Sequence, residues 1–299
     1  MTRFTISPPS GFHFKHTIFS HGWYDLRPFR IDPHPLRLKA LLRDGLGVIA
    51  VTYAEGRHHD ADVLIATTDA KPDSRLEKII VHSARGIFSF DRDLAPFYAS
   101  LEHEADFAWM VQRRAGRMLC APTFFEDVVK MILTTNCSWA LTTRMCVNLI
   151  EHCSTTLTPT FPLPEEIAGC SEKFLRDKVK LGYRAPYVGL LARRVAKGEL
   201  PIEEFRRSNG LTPEIYRELR SIKGVGDYAA ANLLKLLGRF DYLGLDSWCR
   251  SKFAELRSKG RRVQDKSIER FYRRFGDWKG LVMWLDLTRE WYTREVPVL

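Results

Sequence analysis

The sequence predicts an α+β protein in which an amino-terminal antiparallel sheet precedes an all-α core. Two observations support this fold class. Residues 1 to about 95 contain short β-branched and aromatic runs separated by Gly, Pro, Asp and His, a pattern typical of strands. Residues 96–299 instead carry apolar side chains at helical spacing, with short connections between the predicted helices. We therefore place a domain boundary near residue 95.

The predicted strands are short apolar runs bounded by turn-forming residues. They are Phe4 to Ile6, Phe12 to Phe14, Gly47 to Tyr53, Asp62 to Ala66 and Lys78 to Val81. Many small β domains share such a pattern, so the predicted sheet does not identify a function.

The predicted helices follow from about residue 94 onward and account for most of the remaining chain. They cover residues 94–117, 124–136, 140–152, 172–181, 186–197, 213–222, 227–237, 247–257, 266–275 and 278–294. The Pro-rich segment 158–164 is predicted to be a connection between helices. The chain shows no internal repeat and no long linker, so the helices are expected to form one core.

A glycine turn joins two predicted helices at residues 219–234, the segment called the hairpin below. Its glycines permit a tight turn and a close approach to the backbone. The N–H groups at the start of the second helix point outward at the positive end of the helix dipole. An ordinary pair of antiparallel helices is the alternative interpretation. We predict a DNA phosphate or another anion at Lys223, Gly224, Val225 and Gly226.

Asp246 lies twenty positions after Gly226, directly before the predicted helix 247–257. Alone, such an Asp is typically a helix cap. Together, the hairpin, the spacer and the acid resemble the helix-hairpin-helix DNA glycosylase superfamily, whose signature is a Gly-x-Gly hairpin followed by a catalytic Asp. The resemblance implies that Asp246 stabilises the positive charge on the sugar as the base departs, and that it orients or activates water.

Two upstream segments extend the resemblance to roughly residues 95–299. Residues 124–140 resemble the opening helices of the glycosylase core, and Leu181-Gly-Tyr-Arg184 resembles its Leu-Gly-aromatic-Arg segment. The nearest branches are 3-methyladenine DNA glycosylase II and the 8-oxoguanine DNA glycosylases, which carry an amino-terminal sheet. By resemblance, Asn136 fills the gap that an everted nucleotide leaves, and a helix cap is the alternative role.

The resemblance also implies a base pocket beside Asp246. Tyr228 and Asn232 are spaced i, i+4 and so share a helix face. Trp248 and Trp284, and also Trp291, are further candidates, with core packing as the alternative for these aromatic side chains. In bifunctional members of the superfamily the position of Tyr228 is a lysine that forms a Schiff base with the sugar. Tyrosine cannot do so, and the resemblance therefore predicts a monofunctional enzyme.

Cofactor requirements are expected to be minimal. The resemblance implies that a monovalent cation, Na⁺ or K⁺, could bind the backbone carbonyls of Arg220, Ile222 and Val225. Some relatives hold an iron–sulfur cluster on four cysteines after the catalytic Asp, but here Cys249 alone follows Asp246, so we expect no iron–sulfur cluster. The six scattered cysteines indicate reduced thiols, and no His or Cys group has zinc-site spacing.

The charge distribution indicates the kind of binding partner, and the targeting signals indicate the expected compartment. The formal net charge is +10, and residues 182–299 carry 24 Lys and Arg against 15 Asp and Glu. This excess near the hairpin indicates a polyanionic partner, here double-stranded DNA, although a solvated basic surface is an alternative. No secretory signal or membrane-spanning run is present. We expect a cytoplasmic monomer without a membrane partner, nucleoid-associated if the source is bacterial.

The sequence thus predicts a monofunctional DNA glycosylase of base excision repair, with an alkylated purine as the first candidate lesion. Three alternatives remain. The first is a glycosylase for oxidised bases such as 8-oxoguanine, and the second is a DNA-binding protein that recognises lesions or bent DNA without excision. The third is a bifunctional lyase that uses a lysine at another position.

Overall fold

The strands of the protein form one antiparallel sheet near the amino terminus. The computed structural model describes residues 1–45, 47–59 and 61–293. Among these residues the sheet has the strand order β1-β5-β4-β3-β2, with every neighbouring pair antiparallel. The strands are β1 Thr2–Ile6, β2 Arg30–Pro33, β3 Leu36–Asp44, β4 Gly47–His58 and β5 Ala61–Thr68.

Helices account for most of the described chain after the sheet. Short 3-10 turns connect several of them. The α-helices are α1 Phe14–Ile18, α2 Ser74–Ile87, α3 Ala95–Ala99, α4 Ala108–Gln112, α5 Phe124–Thr134, α6 Trp139–Cys153, α7 Pro164–Ala168, α8 Glu172–Asp177, α9 Ala185–Ala196, α10 Thr212–Ser221, α11 Asp227–Leu236, α12 Ser247–Arg257, α13 Asp265–Tyr272 and α14 Lys279–Leu287. The predicted α+β class with a sheet followed by a helical core is confirmed.

The strand predictions are right at β1, β4 and β5 and wrong at two places. Residues 78–81 lie inside α2, where Leu76, Ile80 and Ala84 recur at a spacing of four and are buried. Asp73 caps this helix by accepting a hydrogen bond from the backbone N–H of Leu76 at 2.6 Å. A run of β-branched residues therefore forms a helix because its apolar face packs into the core. Phe14 likewise begins helix α1 rather than a strand.

The predicted helix over residues 94–117 is wrong, because the structure breaks it into α3, a 3-10 turn at Ala105–Phe107, and α4. Arg114 and Gly116 have positive φ angles of 50° and 122°, which end helical geometry there. Helix α7 lies at the end of the predicted connection 158–164. Residue 294, the end of the predicted helix 278–294, and the last residues of the predicted core lie outside the described residues.

The segment between β1 and β2 leaves the sheet and packs into the helical core. The indole Nε1 of Trp23 donates to the carboxylate of Asp127 on α5 at 2.7 Å. The indole Nε1 of Trp284 on α14 donates to the carbonyl of Ser20 at 2.8 Å. Residues before the predicted boundary near 95 therefore contribute directly to the surroundings of α14. Of the helices in the described ranges, none combines the length and hydropathy needed to span a bilayer.

Candidate active site

The hairpin consists of α10, a tight turn and α11, and each glycine of the turn has its own structural reason. Gly224 has a φ of 92°, and a Cβ there would approach Tyr187 to 3.0 Å, so a larger residue is strained on two grounds. Gly226 has a φ of −86° and is the N-cap of α11. A Cβ on Gly226 would meet nothing within 4 Å, so this face of the turn is open for an external partner.

The residues predicted to bind an anion lie at the turn that precedes α11. Lys223 and Gly226 are exposed, whereas Val225 is buried and anchors the turn in the core. No side chain caps the N-terminus of α11. The first backbone N–H groups of α11 therefore face solvent, where they can donate to an anion. Whether a phosphate binds here stays a prediction.

Two of the three carbonyls predicted to hold a monovalent cation, those of Ile222 and Val225, already accept hydrogen bonds. Nη1 of Arg220 donates to the carbonyl of Val225 at 3.1 Å, and the N–H of Val225 donates to the carbonyl of Ile222 at 3.0 Å. Arg220 is also paired through Nε with the carboxylate of Asp227 at 2.7 Å. A cation at Val225 would lie beside the guanidinium and be repelled by it. These residues fit a cation poorly.

Asp246 is the N-cap of α12 and lies at the end of the loop that follows α11. Its Oδ1 accepts a hydrogen bond from the N–H of Cys249 at 2.7 Å, and its side chain is partly exposed. Tyr228 on α11 approaches this carboxylate. Burial raises the pKa of the Tyr228 hydroxyl, and the negative charge of Asp246 raises it further. The hydroxyl therefore stays protonated beside the carboxylate.

Asn232 connects α11 to the loop that carries Asp246. Its Nδ2 donates to the carbonyl of Tyr228 at 2.8 Å. The side chain packs against Gly244, where a Cβ would come within 2.6 Å of Nδ2. Asn232 thus occupies the space between the helix and the loop and holds them at a fixed distance. Its predicted role at the base pocket stays a prediction.

Three indole rings form a cluster beside Asp246, called the tryptophan cluster below. Trp248 on α12 lies 6.0 Å from Trp284 and 6.2 Å from Trp291 between ring centroids, and Trp284 lies 5.7 Å from Trp291. Trp248 is 40% exposed, and the other two are partly buried. The structure therefore brings Trp248 and Trp284 together next to the predicted catalytic carboxylate, with an accessible aromatic surface.

Lys235 is a residue of the site that the sequence reasoning missed. It is 2% exposed, and its Nζ lies 4.4 Å from the centroid of the Trp284 ring. Burial lowers the pKa of Lys235 to about 8, although the negative charge of Asp246 favours its protonated form. The available signal was a single lysine inside the apolar run Leu233-Leu-Lys-Leu-Leu237.

Asn136 is exposed at the turn between α5 and α6, with a φ of 46°. Ser138 is the N-cap of α6 and its side chain accepts from the N–H of Leu141, so Asn136 does not cap that helix. It directly follows Thr135, the C-cap of α5. The segment 181–184 supports this turn. Tyr183 donates to the carbonyl of Thr135 at 3.2 Å, and the buried Arg184 donates to the same carbonyl.

The cysteines and other potential ligands are dispersed. All six cysteines are free thiols, four of them buried. Burial and the charge of Asp246 raise the pKa of Cys249 to about 12, so it is a protonated core thiol. Across the part of the chain that the structure describes, no group of three or more His, Cys, Asp or Glu side chains is arranged to hold a metal ion.

The chain is similar in sequence to a curated protein and similar in fold to several solved structures. No family model matches the chain. A protein of Methanothermobacter thermautotrophicus named "Probable N-glycosylase/DNA lyase" is 28% identical over 225 residues, covering 66% of this chain and 70% of the relative. The solved 3-methyladenine DNA glycosylase of Archaeoglobus fulgidus has a TM-score of 0.73 at 16% identity, covering 98% of this chain and 99% of the other.

A second neighbour belongs to the other expected branch. The apo 8-oxoguanine glycosylase/lyase of Clostridium acetobutylicum has a TM-score of 0.65 at 19% identity, over 90% of this chain and 93% of the neighbour. The same enzyme has been solved with double-stranded DNA that contains cytosine opposite 8-oxoguanine. At these identities the two neighbours establish the fold, and they do so for the sheet and the helical core together. With its hairpin and the Asp246 cap in the expected order, the chain has the fold of these DNA glycosylases and is similar in sequence to a protein named as an N-glycosylase/DNA lyase.

Proposed function

We propose that the protein is a monofunctional DNA glycosylase that removes a damaged base during base excision repair. The observation that carries the proposal is the position of Asp246, a partly exposed carboxylate at a helix N-terminus between the hairpin and the tryptophan cluster. Departure of a base leaves positive charge on the sugar, which a carboxylate held nearby stabilises. The same carboxylate can orient or deprotonate the attacking water.

Binding to duplex DNA is supported by the open start of α11 and by the charge distribution. The exposed Lys223 and the N–H groups after Gly226 offer donors to one phosphate. The carboxy-terminal part of the chain holds nearly all of the excess positive charge. The Clostridium neighbour has been solved in complex with double-stranded DNA, which supports duplex DNA as the partner.

Eversion of a nucleotide requires a residue that fills the gap in the duplex. Asn136 is proposed for this role because it is exposed at the tip of a turn that buried contacts of Arg184 hold in place. Tyr183 lies beside the same turn and is 48% exposed, so its ring is available to stack on a base next to the gap.

The absence of lyase activity is proposed from position 228, where a tyrosine hydroxyl replaces the amine that a Schiff base needs. The name of the Methanothermobacter relative includes a lyase activity, so this part of the proposal requires a direct test. Lys235 is a buried amine in the same region, and its side chain emerges two helical turns after Tyr228.

The lesion is proposed to be a damaged purine that stacks on aromatic side chains. The tryptophan cluster beside Asp246 provides such a surface. An alkylated purine is the first candidate from the sequence and an oxidised base is the second.

The test of monofunctional chemistry uses a duplex with a single damaged base and an end label. A monofunctional enzyme leaves an abasic site, so strand breaks should appear only after alkali, and borohydride should trap no covalent complex. Strand breaks without alkali, together with borohydride trapping, would replace the proposal with a glycosylase/lyase. Tight binding without either product would favour a protein that recognises lesions without excision.

A further inference from the structure

Lys235 is buried in the core of the helical region among apolar neighbours. On α11 it follows Leu233 and Leu234 and precedes Leu236, and all of these side chains are buried. Burial of an ammonium group costs several kcal/mol unless a charge or hydrogen bonds compensate. Among the described residues, Lys235 forms no ion pair, and its ammonium lies over the ring of Trp284. An apolar side chain would therefore be less costly at this position.

The surroundings of Lys235 connect it to the proposed site. Trp284, over whose ring the ammonium lies, contacts Trp248, which follows Asp246 by two residues. The negative charge of Asp246, at the N-cap of α12, acts on Lys235. His21 faces it from the amino-terminal segment, and this imidazole is buried with its pKa lowered to about 4. Lys235 is thus linked through the Trp284 ring to Trp248 and to the helix that Asp246 caps.

Lys235 lies further along α11 than Tyr228, the position that the resemblance places next to the sugar. Lys235 follows Tyr228 by seven residues, so the two side chains emerge from the same face, about 10 Å apart along the axis. Side chains on a helix slant toward its N-terminus, which brings the ammonium part of the way back toward Tyr228. If the sugar of an everted nucleotide lies near Tyr228 and Asp246, its base can extend along this face of α11 toward Lys235. Lys235 is therefore placed to contact the base rather than the sugar.

We propose that Lys235 is a specificity-determining residue that donates a hydrogen bond to a carbonyl oxygen of the everted base and repels cationic bases. This inference rests on the proposed glycosylase function and deepens it by naming the substrate class. The ammonium has N–H donors that a base carbonyl can satisfy. A purine alkylated at N3 or N7 is a cation in its nucleotide, and its charge opposes the ammonium in a region of low dielectric. The favoured lesion is therefore an uncharged base with an exposed carbonyl, such as 8-oxoguanine or hypoxanthine.

The test measures single-turnover excision of 8-oxoguanine, hypoxanthine and 7-methylguanine from otherwise identical duplexes. The proteins are the wild type, Lys235→Met, which removes the charge at similar length, and the control Lys71→Met, which removes an exposed lysine next to the sheet. The wild type should excise an uncharged base faster than 7-methylguanine. In Lys235→Met this ratio should fall about 10- to 100-fold, the range expected for a hydrogen bond to a charged group. Lys71→Met should retain the wild-type ratio.

Several outcomes would overturn the role of Lys235 and leave the glycosylase function intact. One is faster excision of 7-methylguanine than of the uncharged bases by the wild type. Another is a ratio of the two excision rates that does not change in Lys235→Met. Borohydride trapping of the wild type that disappears in Lys235→Met would make this lysine a nucleophile instead. A wild type that excises none of the three bases, nor any other damaged base in a wider set of duplexes, contradicts the proposed function itself.

Thermal unfolding and binding to a duplex with an abasic-site analogue show whether each variant is folded. Loss of the buried charge should leave Lys235→Met at least as stable as the wild type, whereas a purely structural ammonium–indole contact predicts lower stability and no change in selectivity. If Lys235→Met does not fold, Lys235→Gln serves as the second variant. It retains a donor without the charge, so it should gain excision of 7-methylguanine while retaining that of hypoxanthine. Failure to gain it would contradict the repulsion.

Discussion

The guanidinium of Arg220 donates a hydrogen bond to the carbonyl of Val225 across the hairpin, with Nη1 and O 3.1 Å apart. The same guanidinium pairs with Asp227, whose carboxylate also accepts a hydrogen bond from the hydroxyl of Tyr216 at 2.7 Å. A network of side chains therefore holds the turn at the carbonyl where the sequence predicts a monovalent cation. The negative charge of Asp227 at the start of α11 is balanced by Arg220, which leaves the anion site usable.

Affinity for duplex DNA should therefore not depend on the identity of the monovalent cation. Replacing Na⁺ or K⁺ by a bulky organic cation at constant ionic strength should change the dissociation constant less than about twofold, which is well under 1 kcal/mol. Fluorescence anisotropy with an abasic-site analogue measures this. A loss of affinity in the wild type that Na⁺ or K⁺ restores would show that these carbonyls bind a cation.

Alanine at the two hairpin glycines should separate folding from DNA binding. Gly224→Ala adds a Cβ at a positive φ and 3.0 Å from Tyr187, so the free energy of unfolding should fall by about 1–3 kcal/mol. Gly226→Ala adds a Cβ that meets no protein atom within 4 Å, so the fold should be retained. It should weaken DNA binding because the methyl group enters the phosphate-binding face. Denaturant unfolding and anisotropy distinguish the two, and full affinity in Gly226→Ala would exclude a phosphate at this turn.

The turn between α5 and α6 should contribute to DNA binding through Asn136 and to stability through Arg184. Asn136→Gly preserves the positive φ of 46° and removes the side chain. We expect unchanged stability and about tenfold weaker binding to abasic DNA. Arg184→Met removes a buried hydrogen bond to Thr135, so the free energy of unfolding should fall by about 1–3 kcal/mol. Unchanged affinity in Asn136→Gly would argue against gap filling.

Lys235 should make stability depend on pH in a defined direction. Burial lowers its pKa to about 8 in the folded protein, whereas an unfolded lysine titrates near ~10.4. Between these values the unfolded state holds a proton that the folded state has released, so the free energy of unfolding rises with pH in this window. Below pH 8 both states are protonated, and the penalty for burial is fully present.

The measurement compares urea unfolding of the wild type and Lys235→Met between pH 7 and 9.5. The difference between the two free energies isolates Lys235, because the facing groups do not titrate in this range when folded. His21 has a pKa lowered to about 4, that of Cys249 is raised to about 12, and burial raises that of Tyr228. The wild type should gain stability relative to the variant as the pH rises, and a difference independent of pH would contradict a buried, protonated Lys235.

Sequence reasoning located most helices of the core because caps and apolar periodicity agree there. Helix α12 has the predicted bounds, 247 to 257, since Asp246 supplies a side-chain cap and Cys249 and Phe253 recur on the buried face. It missed β3, although the buried Leu38, Ala40 and Leu42 alternate with exposed or half-buried residues. It also assigned residues 78–81 to a strand, because local β propensity is weaker than the packing of a whole amphipathic helix.

The candidate site was predictable only where a motif marks it. The spacing between Gly224, Gly226 and Asp246 can be read directly from the sequence. The partner of the Val225 carbonyl and the position of Lys235 over Trp284 depend on side chains that meet across elements distant in sequence. Such contacts have no local signature, so the sequence did not reveal the donor to the Val225 carbonyl or the ring that Lys235 lies over.

Single-turnover excision by the wild type and Asp246→Asn tests the central claim most directly. Asparagine is an equally good helix cap, so the variant should keep its stability and its affinity for abasic DNA. It loses the negative charge that stabilises the sugar, so excision should slow by about 100-fold or more. That loss, with alkali-dependent breaks in the wild type, is the predicted result. Excision by Asp246→Asn at the wild-type rate would contradict the assignment of Asp246 as the catalytic carboxylate.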